Sequence, residues 1–295
     1  MSFGPDTLLL QDAITHVNDI EIHYRYKGTG FNRSLIFLHG LASTCRIWDK
    51  TIARLPDLSV VSVDQRGHGE TQQPEGDYGF ATFVTDLHSL IETLEIRRPI
   101  VIGHSWGGCV AIEYAAQYPR GIAGLVLLDG GFYDFQNEPG ANWEDLATKL
   151  APPDFTGVDI STLLDRIKAG GVFGTWDETL ESSIKSNFLI DQEGFFKARL
   201  DRVNHMKILK AIWNQDVASL YHKIECPTLI VAARRNSDDD KENNFIRHKM
   251  RTVPIADENI KKSEIVWFED SVHDIPLQHP QILADCIADF AGKLE

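Results

Sequence analysis

The sequence predicts an α/β protein with a mostly parallel central sheet, helices on both faces, and an inserted helical cap. Two observations support this fold class. Short continuous apolar runs alternate with segments of helical periodicity in the first and last parts of the chain, and continuous apolar runs are typical of parallel strands buried on both faces. The middle part contains amphipathic, aromatic-rich stretches without a clear apolar strand.

The predicted elements follow one another in a regular order. Residues 13–27 alternate apolar and polar side chains around Asn18-Asp19, which predicts an antiparallel hairpin. From residue 34 the periodicity predicts strands at 34–38, 58–63, 99–102 and 122–128, and helices at 46–55, 80–94 and 106–118. The alternation resumes with a strand at 228–232, a helix at 244–251, a strand at 264–268 and a helix at 278–293.

The interruption defines the domain organisation. The segments on either side of residues 132–222 have the pattern of one sheet, so we interpret the middle as an insertion rather than a separate domain. We therefore predict a core formed by residues 1–131 and 223–295, with a helical cap at 132–222.

Composition restricts the class of partner. The 295 residues are 43% hydrophobic and 24% charged, as in ordinary globular proteins, and the formal net charge is −14. This charge repels nucleic acid and anionic membrane surfaces. No apolar run approaches the roughly 20 residues of a membrane span, and the N-terminal residues lack a signal-peptide pattern. The cysteines show neither zinc-ligand nor disulfide-framework spacing. We expect a reduced, cytoplasmic protein that acts on a small molecule, with no nucleic-acid or membrane partner; the sequence does not indicate the oligomeric state.

One motif carries candidate chemistry. Gly103-His104-Ser105-Trp106-Gly107 matches G-x-S-x-G, follows the predicted strand at 99–102 and opens a predicted helix. A sharp strand-to-helix turn would lift the Ser105 hydroxyl out of the sheet, and glycines two residues on either side would avoid a collision there. The N–H groups at the helix start are free to bind developing negative charge. We predict Ser105 as a nucleophile.

Several motifs together resemble the α/β-hydrolase fold superfamily, in its single-cap branch with serine-nucleophile esterases. The matching pieces extend from the hairpin to the last helix, and only the cap lacks motifs. The elbow is similar to that of epoxide hydrolases and haloalkane dehalogenases, but Ser105 stands where those enzymes carry aspartate. The resemblance rests on four segments: His39-Gly40 after a strand, Asp64-x-Arg66-Gly67-x-Gly69, the serine elbow, and the segment around His273.

The resemblance implies roles for further residues. The oxyanion donors would be the backbone N–H groups of Leu41 and Trp106, and the base would be His273, with His279 as its nearest competitor. The acid has two candidates. Asp129 ends the strand at 122–128, a position that haloalkane dehalogenases and some lipases use. Asp238 follows the strand at 228–232 and would serve if the turn there is longer than usual, since the usual aspartate position is Asn236.

These roles imply acyl transfer without a metal or organic cofactor. Carboxylic esters are the leading substrates, followed by lactones and thioesters. A cofactor-free perhydrolase and a C–C bond hydrolase would use the same triad. A signalling receptor that binds or slowly cleaves a small ligand is the alternative from another class, and repeated turnover of a short ester would distinguish an enzyme from it.

Overall fold

A mixed eight-stranded sheet forms the centre of the computed structural model, which describes residues 10–28, 34–55, 58–235 and 240–294. The strand order is β1-β2-β4-β3-β5-β6-β9-β10. The strands β1 and β2 form the predicted antiparallel hairpin, β2 also pairs antiparallel with β4, and all other neighbours are parallel. The strand bounds are β1 Gln11–Val17, β2 Ile20–Lys27, β3 Leu35–Leu38, β4 Val60–Val63, β5 Ile100–His104, β6 Gly124–Leu128, β9 Thr228–Arg234 and β10 Ser263–Glu269.

The central strands β3, β4, β5 and β6 are buried on both faces, as their continuous apolar runs predict. Along β5, Val101 faces one hydrophobic cluster while Ile100 and Ile102 face a second. Adjacent residues of a strand point to opposite faces, so the two clusters lie on opposite sides of the sheet. The α/β fold class predicted from the sequence is confirmed.

The helices of the core cover these faces. Their bounds are α1 Asp49–Ile52, α2 Phe80–Thr93, α3 Trp106–Gln117, α9 Asp240–Asn259, α10 Ile275–Gln278 and α11 Pro280–Gly292. The single helix predicted at 278–293 is wrong at its start, because α10 precedes it and the chain leaves helical geometry at His279. A residue before proline is sterically disfavoured in the helical region, and Pro280 follows. The helix predicted at 46–55 is a 3-10 turn, Cys45–Trp48, followed by α1.

The chain between β6 and β9 is mainly helical. It contains α4 Trp143–Lys149, α5 Ile160–Ala169, α6 Glu178–Lys185, α7 Arg202–Asn214 and α8 Ala218–Tyr221. Side chains that accept a backbone N–H begin four of these helices; they are Asn142, Asp159, Asp177 and Asp201. The sequence shows no clear apolar strand in this stretch, but the structure contains a short hairpin of β7 Phe188–Ile190 and β8 Phe196–Ala198. Three-residue strands are too short to produce a detectable alternation.

The eight sheet strands fall within residues 1–131 and 223–295. The division into a core and a cap at 132–222 stays a prediction. Among the helices that the structure describes, none has both the length and the apolar character needed to cross a membrane.

Candidate active site

Ser105 stands between β5 and α3 in a strained backbone conformation, with φ 55° and ψ −121°. Non-glycine residues rarely adopt such angles, and they recur at functional sites. A Cβ at Gly103 would overlap the backbone of Gly107, and a Cβ at Gly107 would lie 2.5 Å from the carbonyl oxygen of Leu38. The two glycines of the motif are therefore required by the tight approach of the main chain.

The ends of neighbouring parallel strands meet at this turn. The N–H of Ser105 donates to the carbonyl of Leu128 at 2.9 Å, and a Cβ at Gly130 would overlap the carbonyl of Ser105. On the other side, a Cβ at Gly40 would lie 3.2 Å from Cβ and 3.6 Å from Oγ of Ser105. The loops after β3 and β6 thus lie against the serine, at the carboxyl edge where open α/β sheets bind ligands.

Asp129 follows β6 directly and is fully buried, with φ 44°. Its Oδ2 lies 2.7 Å from Nδ1 of His273, and its Oδ1 accepts the N–H of Ala233 at 2.9 Å. The Nζ of Lys249 donates to both carboxylate oxygens, at 3.0 and 3.1 Å. An ionised carboxylate can only accept hydrogen bonds, so Nδ1 of His273 carries a proton and Nε2 of the neutral ring is left as an acceptor.

The electrostatics of this pair favour the charged carboxylate. Burial by itself would raise the pKa of the Asp129 carboxyl, but the hydrogen bond from His273 and the charge of Lys249 lower it below its ordinary value. For His273 burial acts to lower the pKa, and the hydrogen bond and charge of Asp129 outweigh it, so that the pKa lies above its ordinary value. The His273 side chain is still 47% exposed, which limits the loss of hydration.

The candidate residues surround one cavity of about 630 Å³. The five that line it are Leu41, Ser105, Trp106, Asp129 and His273. Trp106 is the first residue of α3, so its N–H has no acceptor within the helix. The alternative acid, Asp238, lies outside the described residues and stays a prediction. The atom within hydrogen-bond reach of His273 Nδ1 belongs to Asp129.

Comparisons with known proteins agree with this fold. A family model described as the alpha/beta hydrolase fold matches residues 33–166. A Mus musculus protein named monoacylglycerol lipase is 26% identical over 301 residues, 98% of this chain and 84% of the relative. The crystal structure of E-2-(acetamidomethylene)succinate hydrolase has a TM-score of 0.72 at 20% identity, covering 96% of this chain and 100% of that chain, a likeness of fold alone.

The chain has the α/β-hydrolase fold, and the matches support the α/β-hydrolase superfamily. A shorter match is found with an uncharacterized protein of Mycobacterium tuberculosis, which is 31% identical over 109 residues. That alignment covers 37% of this α/β-hydrolase and spans 31% of the length of the mycobacterial relative.

Two histidines near the serine of this α/β-hydrolase have structural environments. His104 is buried, its Nε2 lies 3.0 Å from the carbonyl oxygen of His273, and burial lowers its pKa to about 4. It is therefore neutral near pH 7 and donates to the loop that carries His273. His39 is buried with Nδ1 on the carbonyl of Gly40 and Nε2 accepting the N–H of Gln65. Both ring nitrogens of His39 are therefore used in hydrogen bonds within the protein.

The sequence analysis missed Lys249. It lies within the predicted helix at 244–251, where a lysine is ordinarily assigned to the solvent face. In the structure it is 5% exposed and lines the cavity together with Phe245, one turn earlier on α9. The four-residue spacing places both side chains on one helix face. A lysine that shares its helix face with an aromatic residue was the signal in the sequence that Lys249 faces the cavity.

Three side chains of types that can ligate a metal lie close together elsewhere among the described residues. Ligand atoms of His23, Cys45 and Asp64 lie within 4.8 Å of one another. The Asp64 carboxylate is already hydrogen-bonded by Nδ1 of His23 at 2.7 Å and by the N–H groups of Cys45 and Glu70 at 2.7 and 3.0 Å. A Cβ at Gly69 would overlap this carboxylate, which leaves little room for an ion. We interpret the group as a structural link between β2 and the end of β4.

Proposed function

We propose that this α/β-hydrolase is a serine hydrolase that cleaves a carboxylic ester of a small, apolar molecule through an acyl-enzyme. One observation carries the proposal: the hydrogen bond between Asp129 and His273 lies at the cavity that also holds Ser105 on its strained turn. A nucleophile, an imidazole and a buried carboxylate around one cavity are the parts that acyl transfer requires.

The first half of the reaction forms the acyl-enzyme. Nε2 of His273 takes the proton of the Ser105 hydroxyl as Oγ attacks the ester carbonyl carbon. The carbonyl electron pair moves to the oxygen, which the N–H groups of Leu41 and Trp106 bind as an oxyanion. The carbon–oxygen bond to the alcohol then breaks, and the leaving oxygen takes the proton from Nε2. Asp129 stays ionised and holds the imidazolium in place.

The second half regenerates the enzyme. Nε2 of His273 takes a proton from water, and the resulting hydroxide adds to the acyl carbon. The bond to Oγ of Ser105 breaks as the oxyanion collapses, and Oγ takes the proton back. The carboxylic acid leaves. Lactones and thioesters have the same electrophilic carbonyl and would follow the same steps.

The walls of the cavity favour an apolar substrate. Aromatic and aliphatic side chains form most of its surface, including Phe173, Leu209 and Phe245. A volume of about 630 Å³ lies within the range of small-molecule sites, roughly 300–1,000 Å³. The full-length mouse relative is named as a lipase of monoacylglycerols, which are esters with one apolar chain. The cavity walls support an apolar substrate, and the name of the mouse relative supports an ester.

The proposal is tested with 4-nitrophenyl butyrate and with a fluorophosphonate probe, which labels activated serines. The wild-type protein should turn the ester over repeatedly and take up one probe molecule on Ser105. Ser105→Ala should abolish labelling and lower kcat by about 10⁴ to 10⁶. Ser89→Ala is the matched control, because that hydroxyl lies in α2 and donates to Asn18. Undiminished turnover by Ser105→Ala would overturn the proposal, and a single wild-type turnover would favour the receptor alternative.

A further inference from the structure

Lys249 makes a buried contact that the acyl-transfer mechanism does not require. The ammonium donates to both oxygens of Asp129 and also contacts the carbonyl oxygen of Ala233. Lysine is almost never fully buried unless it is paired, and here the side chain is only 6% exposed while its partner carboxylate is completely buried. The sheet and α9 therefore enclose a charge pair beside the imidazole of His273.

Three donors fix the plane of the Asp129 carboxylate. His273 approaches Oδ2, the N–H of Ala233 approaches Oδ1, and Lys249 bridges the two oxygens. Rotation of the carboxylate would break at least two of these bonds. A buried carboxylate held in this way keeps Oδ2 directed at His273 even when the imidazole is neutral.

We propose that Lys249 is a positioning residue that fixes Asp129 against His273 and, through its positive charge, makes the imidazole a weaker base than it would be beside Asp129 alone. The inference rests on the proposed serine-hydrolase function and concerns the same site. With Asp129 already neutralised by Lys249, a second positive charge on His273 gains less than it would beside a lone carboxylate.

The charges around His273 show how this balance works. Asp129 and the adjacent Asp274 favour the imidazolium, while Lys249 opposes it. His104, whose ring centroid lies 4.8 Å from that of His273, is neutral because burial lowers its pKa. The titratable and charged side chains that line the cavity or touch the ring are Asp129, Asp274, Lys249, Arg235, His104, His205, Cys109 and Tyr133. Lys249 is bonded directly to the carboxylate that controls His273, so its removal should change the balance most.

A purely structural role for Lys249 makes a different prediction. A lysine that only ties α9 to the sheet would affect folding stability without changing the pKa of His273. Lys50 provides the matched control. It is also a buried lysine bonded to a carboxylate, that of Asp177, at 2.7 Å, and it does not line the cavity.

The test is an NMR titration of the full-length protein with isotope-labelled histidine rings, in which His273→Gln identifies the His273 signal. Lys249→Met should raise the pKa of His273 by about 1 unit or more. Lys249→Gln keeps a hydrogen-bond donor but no charge and should raise it similarly, which keeps the test valid if the Met variant does not fold. Lys249→Arg and Lys50→Met should leave it near the wild-type value. An unchanged His273 pKa in both uncharged variants would overturn the inference.

Activity separates this inference from the proposed function. If His273 is the base, the acid limb of the pH profile of kcat/KM in Lys249→Gln should move to higher pH by the same amount as the His273 pKa measured by NMR. A raised His273 pKa in the uncharged Lys249 variants, combined with full activity of Ser105→Ala, would overturn the proposed function and retain the electrostatic role of Lys249. An unchanged His273 pKa in those variants, combined with an inactive Ser105→Ala, would overturn only the role of Lys249.

Discussion

Replacing Asp129 with asparagine should inactivate the protein, because the ring proton of His273 would move from Nδ1 to Nε2. In the wild type, Oδ2 accepts from Nδ1 of His273, and Oδ1 accepts from Ala233 and Lys249. An amide has one accepting and one donating end. The amide oxygen would face the two donors, the N–H of Ala233 and the ammonium of Lys249. The NH₂ group would therefore face His273.

That orientation makes Nδ1 an acceptor and moves the ring proton to Nε2. Nε2 can then no longer receive the proton of Ser105. A triad in the wrong tautomer loses about 10⁴ in kcat. At about 1.4 kcal/mol per factor of ten, this corresponds to about 5.5 kcal/mol of lost transition-state stabilisation.

The assay compares ester turnover and fluorophosphonate labelling of wild type and Asp129→Asn per folded molecule. Asp86→Asn is the control for stability, because Asp86 is also a buried carboxylate and pairs with Arg66 at 2.6 Å. Losing one partner of a buried pair destabilises by roughly 3–5 kcal/mol, so both variants should melt at lower temperature while only Asp129→Asn loses catalysis. An Asp129→Asn protein within tenfold of wild type would refute the assignment of the acid.

Three further results are expected. Burial acts to lower the pKa of His23, but the hydrogen bond and charge of Asp64 together with Glu70 and Asp12 outweigh burial, so that the pKa is raised. The stabilisation by the charged ring is fully present below pH about 6.5 and is lost as the pH rises through the higher folded value. The free energies of unfolding in urea of wild type and His23→Gln should therefore differ by an amount that narrows toward pH 9, and a constant difference would contradict this. Gly103→Ala should destabilise by about 3 kcal/mol in thermal melts because its Cβ would overlap the backbone, whereas Gly292→Ala, with open space, should be neutral or slightly stabilising. Phe245 lines both the candidate site and a neighbouring cavity of about 540 Å³. Because Phe245→Ala would join the two cavities, it should raise kcat/KM for longer acyl esters by up to about fourfold per methylene. An unchanged ratio of kcat/KM between decanoate and butyrate esters would show that Phe245 does not separate the two cavities.

Local patterns predicted the sheet and the serine turn because they depend on neighbouring residues. The apolar runs of β5 and β6 are continuous because both faces are covered. The turn at Ser105 follows from two glycines within two residues of it, where any Cβ meets backbone. The position of His273 after the last strand came from the resemblance to a family, and the structure places it at the same cavity as Ser105.

The tertiary structure decided which groups surround the imidazole. Asp129 lies 144 positions from His273 and 120 from Lys249 in the chain, and no local pattern reports distance across such separations. The sequence therefore allowed two acids, and its one signal for a buried lysine was the helix face that Lys249 shares with Phe245. Burial and pairing are properties of the packed sheet and helix α9, since only packing removes water and brings three donors to one carboxylate.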